Sequence, residues 1–266
     1  MQELPAAEPE TILKSNPKHS NVNSFNNLSS SSSEFSSSEF SSSQYAVNSV
    51  TKVKKINNIV CLYTNADQFL NKRSEFSVAM EIYNPDIVGI TEVKPKTSRY
   101  KIQESELMIE NFDIFHNLEE DGRGLLLYVR TPLKASICEM ENDFSEKLFV
   151  ECKLNDGNNL LIGLIYRSSN DERASVYAEK LNDLFTLVSN MKATHKIIMG
   201  DFNYPQIDWN MEISKVGEEH IASKFLKTTK DLFFIQNQKT PTRYREGQIA
   251  NILDWFLQTT KNLFVT

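Results

Sequence analysis

The chain has 266 residues, with 29 Lys+Arg against 35 Asp+Glu, 40% hydrophobic and 24% charged residues, and three cysteines. That is the profile of an ordinary globular protein, and it excludes a collagen, a disulfide-stapled miniprotein and a membrane bundle. Residues 1–55 carry five lysines against five glutamates, so the net charge of −6 falls on the remainder, and a broad basic surface for nucleic acid is excluded with it.

The first ten residues, MQELPAAEPE, are acidic and lack the basic flank and apolar stretch of a secretory signal. Residues 29–43 read SSSSSEFSSSEFSSS, which cannot bury enough apolar surface to offset the entropy of ordering it. A disordered Ser-rich tail is therefore expected over 1–55, and a folded domain over 56–266. From residue 56 short β-branched runs alternate with helical patterns. Strands are predicted at 56–64, 87–91, 124–129, 149–154, 160–166, 196–200 and 252–257. A helix is predicted over 72–83, where Phe76, Ala79, Met80 and Tyr83 share a face and Asn84-Pro85 ends it. A second, over 173–190, carries Tyr177, Leu181, Leu184, Phe185 and Val188 in the same way. The Asp156-Gly157 step predicts a hairpin between 149–154 and 160–166. The runs at 124–129 and 160–166 are too short to span a bilayer. Cys61, Cys138 and Cys152 sit in apolar runs without metal-ligand spacing and read as free thiols of a reducing, intracellular compartment.

Several strands run into polar residues of metal-binding or acid-base type. The first reaches Thr64-Asn65, the second Thr91-Glu92, and the sixth Gly200-Asp201-Phe202-Asn203. Asp254 falls inside the last predicted strand, where a carboxylate requires a partner. Taken singly, Asn65 fits a turn, Glu92 a surface charge and Asp201 a helix cap. Taken together, an Asn, Glu and Asp set is made of oxygen donors and suits Mg²⁺ or Mn²⁺ better than zinc. His19, His116, His195 and His220 are scattered and form no cluster.

The motifs in their order are Thr64-Asn65-Ala66, Pro85 to Glu92, Gly122-Arg123-Gly124, Ile165-Tyr166-Arg167-Ser168, Gly200 to Pro205, Pro241-Thr242-Arg243 and Ile252-Leu253-Asp254. They resemble the endonuclease/exonuclease/phosphatase superfamily, and within it the apurinic-endonuclease-like domain of non-LTR retrotransposons. The resemblance implies an α/β fold, a layered sandwich of two mixed β-sheets flanked by helices, that hydrolyses phosphodiesters at its strand ends. It implies that Asn65 and Glu92 hold the divalent metal and that Asp201 orients or deprotonates the attacking water. Asn203 and Tyr166 would face the scissile phosphate, and Asp254 would be the acidic residue that holds the family's catalytic histidine. DNA is the implied partner, met by basic residues such as Arg123, Arg167, Arg243 and Arg245, with no membrane involved. The domain would derive from a larger polyprotein containing a reverse transcriptase, and work inside the cell, with the nucleus among its locations.

Two features depart from the pattern. The family's Gly-Gly-Gly-Val-Ala run is replaced by Gly124-Leu125-Leu126-Leu127, and its closing Ser-Asp-His does not follow Asp254. The expectation is thus a C-terminally truncated domain lacking its last strands. A catalytically inactive fragment is the alternative reading, unless His116 or His195 takes the histidine's place. A phosphoinositide or sphingomyelin phosphodiesterase of the same superfamily is the more distant alternative.

Overall fold

The computed structural model describes residues 59–95, 101–118, 122–154, 157–168, 174–238, 242 and 252–259. The tail expected over 1–55 lies outside them, as do Arg243 and Arg245. The chain begins with β1 (Cys61–Asn65), a 3₁₀ turn and α1 (Arg73–Tyr83), followed by β2 (Ile87–Thr91), β3 (Phe112–Asn117) and β4 (Leu125–Arg130). Then come β5 (Ala135–Ile137), β6 (Lys147–Lys153), β7 (Asn159–Tyr166), α2 (Ala174–Asn190) and β8 (His195–Asp201). The short β9 (Ile207–Asp208) and β10 (Ile213–Ser214) precede α3 (Ile221–Asp231), β11 (Ile235–Gln236) and β12 (Asp254–Gln258).

Two main sheets result, one of four strands in the order β1-β2-β4-β3 and one of six in the order β11-β12-β8-β7-β6-β5. Each is mixed: β1 pairs β2 and β7 pairs β8 in parallel, while the remaining pairs are antiparallel. The sheets face each other across a core that includes Ile87, Leu127, Val150, Ile162, Leu164 and Met199. The outer face of the six-stranded sheet packs on α2 and α3 through Leu181, Phe185, Phe225 and Trp255. The outer face of the four-stranded sheet meets α1 and the segment around Leu107, with Phe69, Phe76 and Tyr128 in ring contact. Covered on both sides, β2 is buried at all five positions, which is why it reads as an unbroken apolar run rather than an alternating one.

Most predicted elements are present, with shifts at their ends. The first strand starts at Cys61, and residues 69–72 form a 3₁₀ turn before α1 begins. Asn84 closes α1 in the left-handed region, at φ 42°, its N–H returning to Met80 O at 3.0 Å. The predicted 149–154/160–166 hairpin is the antiparallel β6/β7 pair. Unpredicted elements include β3, β5 and α3, although Ala222, Phe225, Leu226 and Thr229 line one face of α3 at helical spacing. Cys61 and Cys152 are buried free thiols, pushed up to about 12 by desolvation, whereas Cys138 is half-buried. Among the described residues no helix is long and apolar enough to cross a membrane.

Two glycines set the closeness of the layers. A Cβ on Gly200 would lie 1.8 Å from the Ile165 carbonyl oxygen of the neighbouring strand, while one on Gly89 would meet Met199 Sδ at 2.6 Å and Leu164 Cδ1 at 2.9 Å. The first obstacle is backbone within a sheet and the second is side chain, so the two sites should respond differently. In urea denaturation Gly200→Ala is expected to cost about 3 kcal/mol or more and Gly89→Ala about 1–2 kcal/mol. Equal costs at the two positions would contradict this account of the packing.

Candidate functional site

The ends of the central strands of both sheets meet on one side of the inter-sheet core. In the six-stranded sheet Asp201 is the last residue of β8, with Tyr166 of β7 opposite it on one side and Asp254 of β12 on the other. In the four-stranded sheet Asn65 ends β1, opposite Thr91, and Glu92 follows β2. The Asn65 amide joins the two sets: its Nδ2 donates to Glu92 Oε1 at 2.8 Å and to Asp201 Oδ2 at 3.0 Å. A single side chain therefore spans both sheets. Its Oδ1 accepts from the Asp67 backbone N–H at 3.3 Å, which fixes the loop after β1.

Backbone strain gathers at these positions. Glu92 and Asn203 have φ of 53° and 51°, and Asp67 and Gln68, beside Asn65, have 40° and 84°. Non-glycine residues are held in this region when the surroundings over-determine them, as at ligand clamps. Here the surroundings are hydrogen bonds. The loop after β2 is tied by Gln68 N to Glu92 O at 3.0 Å and Lys94 N to Arg123 O at 2.7 Å. Asn203 donates its backbone N–H to Asp201 Oδ1 at 3.1 Å and its Nδ2 to Arg167 O at 2.8 Å.

The site holds more negative charge than its hydrogen bonds neutralise. Burial and the nearby Asp254 carboxylate push Asp201 up to about 7, against the Asn65 and Asn203 bonds that favour its ionised form. Tyr63 is raised well above its ordinary range by burial and by Asp254 and Asp201; its hydroxyl bonds Thr91 Oγ1 at 2.7 Å and the Asp254 side chain. Tyr166 is raised by burial and by Glu92 and Asp201, so it stays a protonated donor near neutral pH. Glu92 is partly neutralised by Arg123, whose Nη2 lies 2.6 Å from Glu92 Oε2 and also pairs with Asp67.

These residues fit a divalent cation. Among the described residues no three His, Cys, Asp or Glu side chains cluster to hold one, so the set must draw on the Asn65 amide. The Glu92 and Asp201 carboxylates are hard donors suited to Mg²⁺ or Mn²⁺, and the Asn65 oxygen would join them once its amide turns over, since here Nδ2 faces the carboxylates and Oδ1 accepts from Asp67 N–H. Asp201 is raised first by burial and then by the neighbouring Asp254 carboxylate, and a cation held there would favour its ionised form.

The structure brings together Asn65, Glu92, Tyr166, Asp201, Asn203 and Asp254. Asp254 differs from expectation: it is the half-buried first residue of β12 rather than a strand-interior carboxylate, so it lies at the edge of a cleft of about 410 Å³ lined also by Tyr63, Asn65, Thr242 and Phe256. Arg167, expected against the substrate, is buried behind the site. Its Nη1 donates to Phe202 O at 3.2 Å and Asn203 O at 2.9 Å, and its guanidinium stacks over Tyr204 at 4.0 Å. It holds the turn after β8. Arg243 is outside the described residues. His195 begins β8, at the opposite end from Asp201; His116 is exposed on β3, and His220 caps α3. Sequence reasoning missed Tyr63, Asp67 and Glu146. Glu146 Oε2 accepts from Ser168 N at 3.0 Å and Tyr177 OH at 2.9 Å, anchoring the loop beyond Tyr166. Only Asp67 had a local signal, as the third residue of an Asn-x-Asp turn.

Over residues 160–265 the chain matches the family model described as endonuclease-reverse transcriptase. In structure it is similar to an AP endonuclease from Leishmania major, with a TM-score of 0.55 at 12% identity over 75% of this chain and 78% of that one. It is similar as well to a 3′ phosphatase from Neisseria bound to a product DNA hairpin, at 0.55 and 12% over 75% and 86%. The endonuclease domain of TRAS1, a telomere-specific non-LTR retrotransposon, aligns at 0.50 and 13% over 74% and 83%. The chain shares the fold of these structures. No curated protein matches the sequence. The domain thus has its carboxylates at the strand ends of both sheets, with the Asn65 amide between them.

The charge balance gives a pH prediction. Asp201 in the folded domain keeps its proton up to about pH 7, whereas the unfolded chain loses it near the ordinary carboxyl value of 3.8. The unfolded state is therefore stabilised first as pH rises, and this residue's contribution to stability falls between about pH 4 and 7 and is flat above. Asp201→Asn should remove that part of the decline, and in chelator should raise the thermal midpoint at pH 8 relative to pH 4 when compared with the unsubstituted domain. Identical midpoint-against-pH curves for the two proteins would show that Asp201 is not the group responsible.

Proposed function

We propose that the domain is a divalent-metal-dependent phosphodiester hydrolase acting on DNA, derived from a retrotransposon endonuclease that accompanies a reverse transcriptase. The observation that carries this reading is the meeting of Asn65, Glu92 and Asp201 from two sheets around one patch of excess negative charge. The match to an endonuclease-reverse transcriptase family supports the reverse-transcriptase association, and the likeness to a phosphatase bound to a DNA hairpin and to a retrotransposon endonuclease domain supports DNA as the class of substrate.

In this reading Asn65 and Glu92 hold Mg²⁺ or Mn²⁺, with Asp201 beside them. When bound, the cation neutralises charge on the phosphate and its leaving oxygen. Asp201, poised near neutral pH, accepts a proton from the attacking water. Tyr166, protonated and facing Asp201, and Asn203, strained into place, donate hydrogen bonds to the phosphate as charge develops on it. Asp254, bonded to Tyr63, keeps the far wall of the cleft acidic and oriented. Arg167 is a positioning residue that fixes Asn203 from behind. A domain acting on DNA in this way would work in the nucleus or wherever else the cell exposes its DNA.

The test is nicking of supercoiled plasmid by the purified chain with Mg²⁺ or Mn²⁺. Nicking is expected to stop in excess chelator and to fall at least about 100-fold in Glu92→Gln and in Asp201→Asn. Nicking that survives chelation, or that is unchanged by both substitutions, would overturn the proposal. Metal binding without any cleavage would support the alternative of an inactive domain that keeps the cation site.

A further inference from the structure

Arg123 lies in the strand-end cluster in a way that the hydrolysis reading does not use. Its side chain is 10% exposed, and its Nη2 is shared between Glu92 Oε2, at 2.6 Å, and Asp67 Oδ1. Its Nε and Nη1 are buried and have no hydrogen-bond partner among the described residues. Among those residues the guanidinium is thus held by one of its three nitrogens. A buried donor left unmade costs free energy, so this pose is poorly satisfied except for the charge it neutralises. The backbone cannot relieve it: Gly122 and Gly124 flank Arg123, and Val93 N to Gly124 O together with Lys94 N to Arg123 O continues the β2/β4 ladder past the strand ends. The ladder therefore delivers a cationic side chain onto the carboxylate best placed to hold a metal.

We propose that Arg123 is the resting counter-ion of Glu92 and competes with the divalent cation for it, so that cation binding requires Arg123 to give up the Glu92 carboxylate. Two positive charges do not share one carboxylate in a site this buried without mutual repulsion. Where Arg123 occupies Glu92, the acidic cluster is neutral enough to persist without metal; when a cation arrives, the guanidinium leaves Glu92 and keeps its contact with the exposed Asp67. The consequence is a threshold. The affinity of the site for its cation is reduced by the fraction of molecules in the arginine-paired state. The inference rests on the cation site of the proposed function, though not on catalysis.

The test measures Mn²⁺ binding to the full chain by electron paramagnetic resonance, without DNA, in the wild type, Arg123→Met and Arg123→Lys. Arg123→Met is expected to bind Mn²⁺ at least ten-fold more tightly than the wild type and to melt lower in chelator, with the loss recovered on adding Mn²⁺. Arg123→Lys, which keeps the charge but cannot fork, should fall between the two. In the unsubstituted protein, the Arg123 Nε–H signal in ¹⁵N spectra should shift and exchange faster on Mg²⁺ addition, a readout that survives even if Arg123→Met fails to fold. Equal or weaker Mn²⁺ binding by Arg123→Met, or an Nε–H signal unchanged at saturating Mg²⁺, would overturn the competition while leaving the cation site intact. Mn²⁺ binding that is undetectable in both the wild type and Arg123→Met, or that is detected and left unchanged by Glu92→Gln, would overturn both this inference and the metal reading beneath it.

Discussion

At the centre of the molecule β2 lies against β7 and β8 so closely that a methyl group on Gly89 would fall 2.6 Å from Met199 Sδ. The rest of the architecture depends on that approach. It lets the inward faces of two twisted sheets share one core of Ile, Leu and Val side chains. It also aligns the ends of β1 and β2 with those of β7, β8 and β12. A sheet separation larger by one side chain would leave the Asn65 amide short of Asp201, and the two halves of the site would face each other across solvent.

The site that results is costly to keep. Carboxylates at Glu92, Asp201 and Asp254 are brought near one another at the strand ends, with strained backbone at Glu92 and Asn203. What offsets the charge includes one amide donating two hydrogen bonds, the Asn203 N–H on Asp201, one guanidinium shared between two acids, and a tyrosine hydroxyl on Asp254. Stability is lost where the fold places groups that chemistry needs. The apolar layers carry that load, with stacked rings such as Phe202 on Trp255 at 4.5 Å directly behind the Asp201 turn.

Positioning behind the site is divided between two buried polar devices. Arg167 ties the Phe202 and Asn203 carbonyls and stacks on Tyr204, and Glu146 ties Ser168 and Tyr177, with desolvation raising its carboxyl. Both belong to the loops at the end of β7 and β8. An arginine after a strand therefore does not announce a substrate contact. At Arg167 the guanidinium points into carbonyls that would otherwise be buried without a donor.

The amino-acid sequence by itself determined the elements whose pattern is local and long: the apolar run of β2, the helical face of α2, the β6/β7 hairpin, the stop at Asn84-Pro85, and the habit of strands ending in Asn65, Glu92 and Asp201. Each depends on periodicity or turn chemistry within about twenty residues, which the chain carries wherever it folds. Tertiary structure decided which ends meet. That Asp254 opens β12 beside Asp201, that the Asn65 amide reaches a carboxylate 136 positions away, and that Arg123 rests on Glu92 all follow from sheet order and register. Those are set by the packing of whole faces against one another, and no local spacing encodes them.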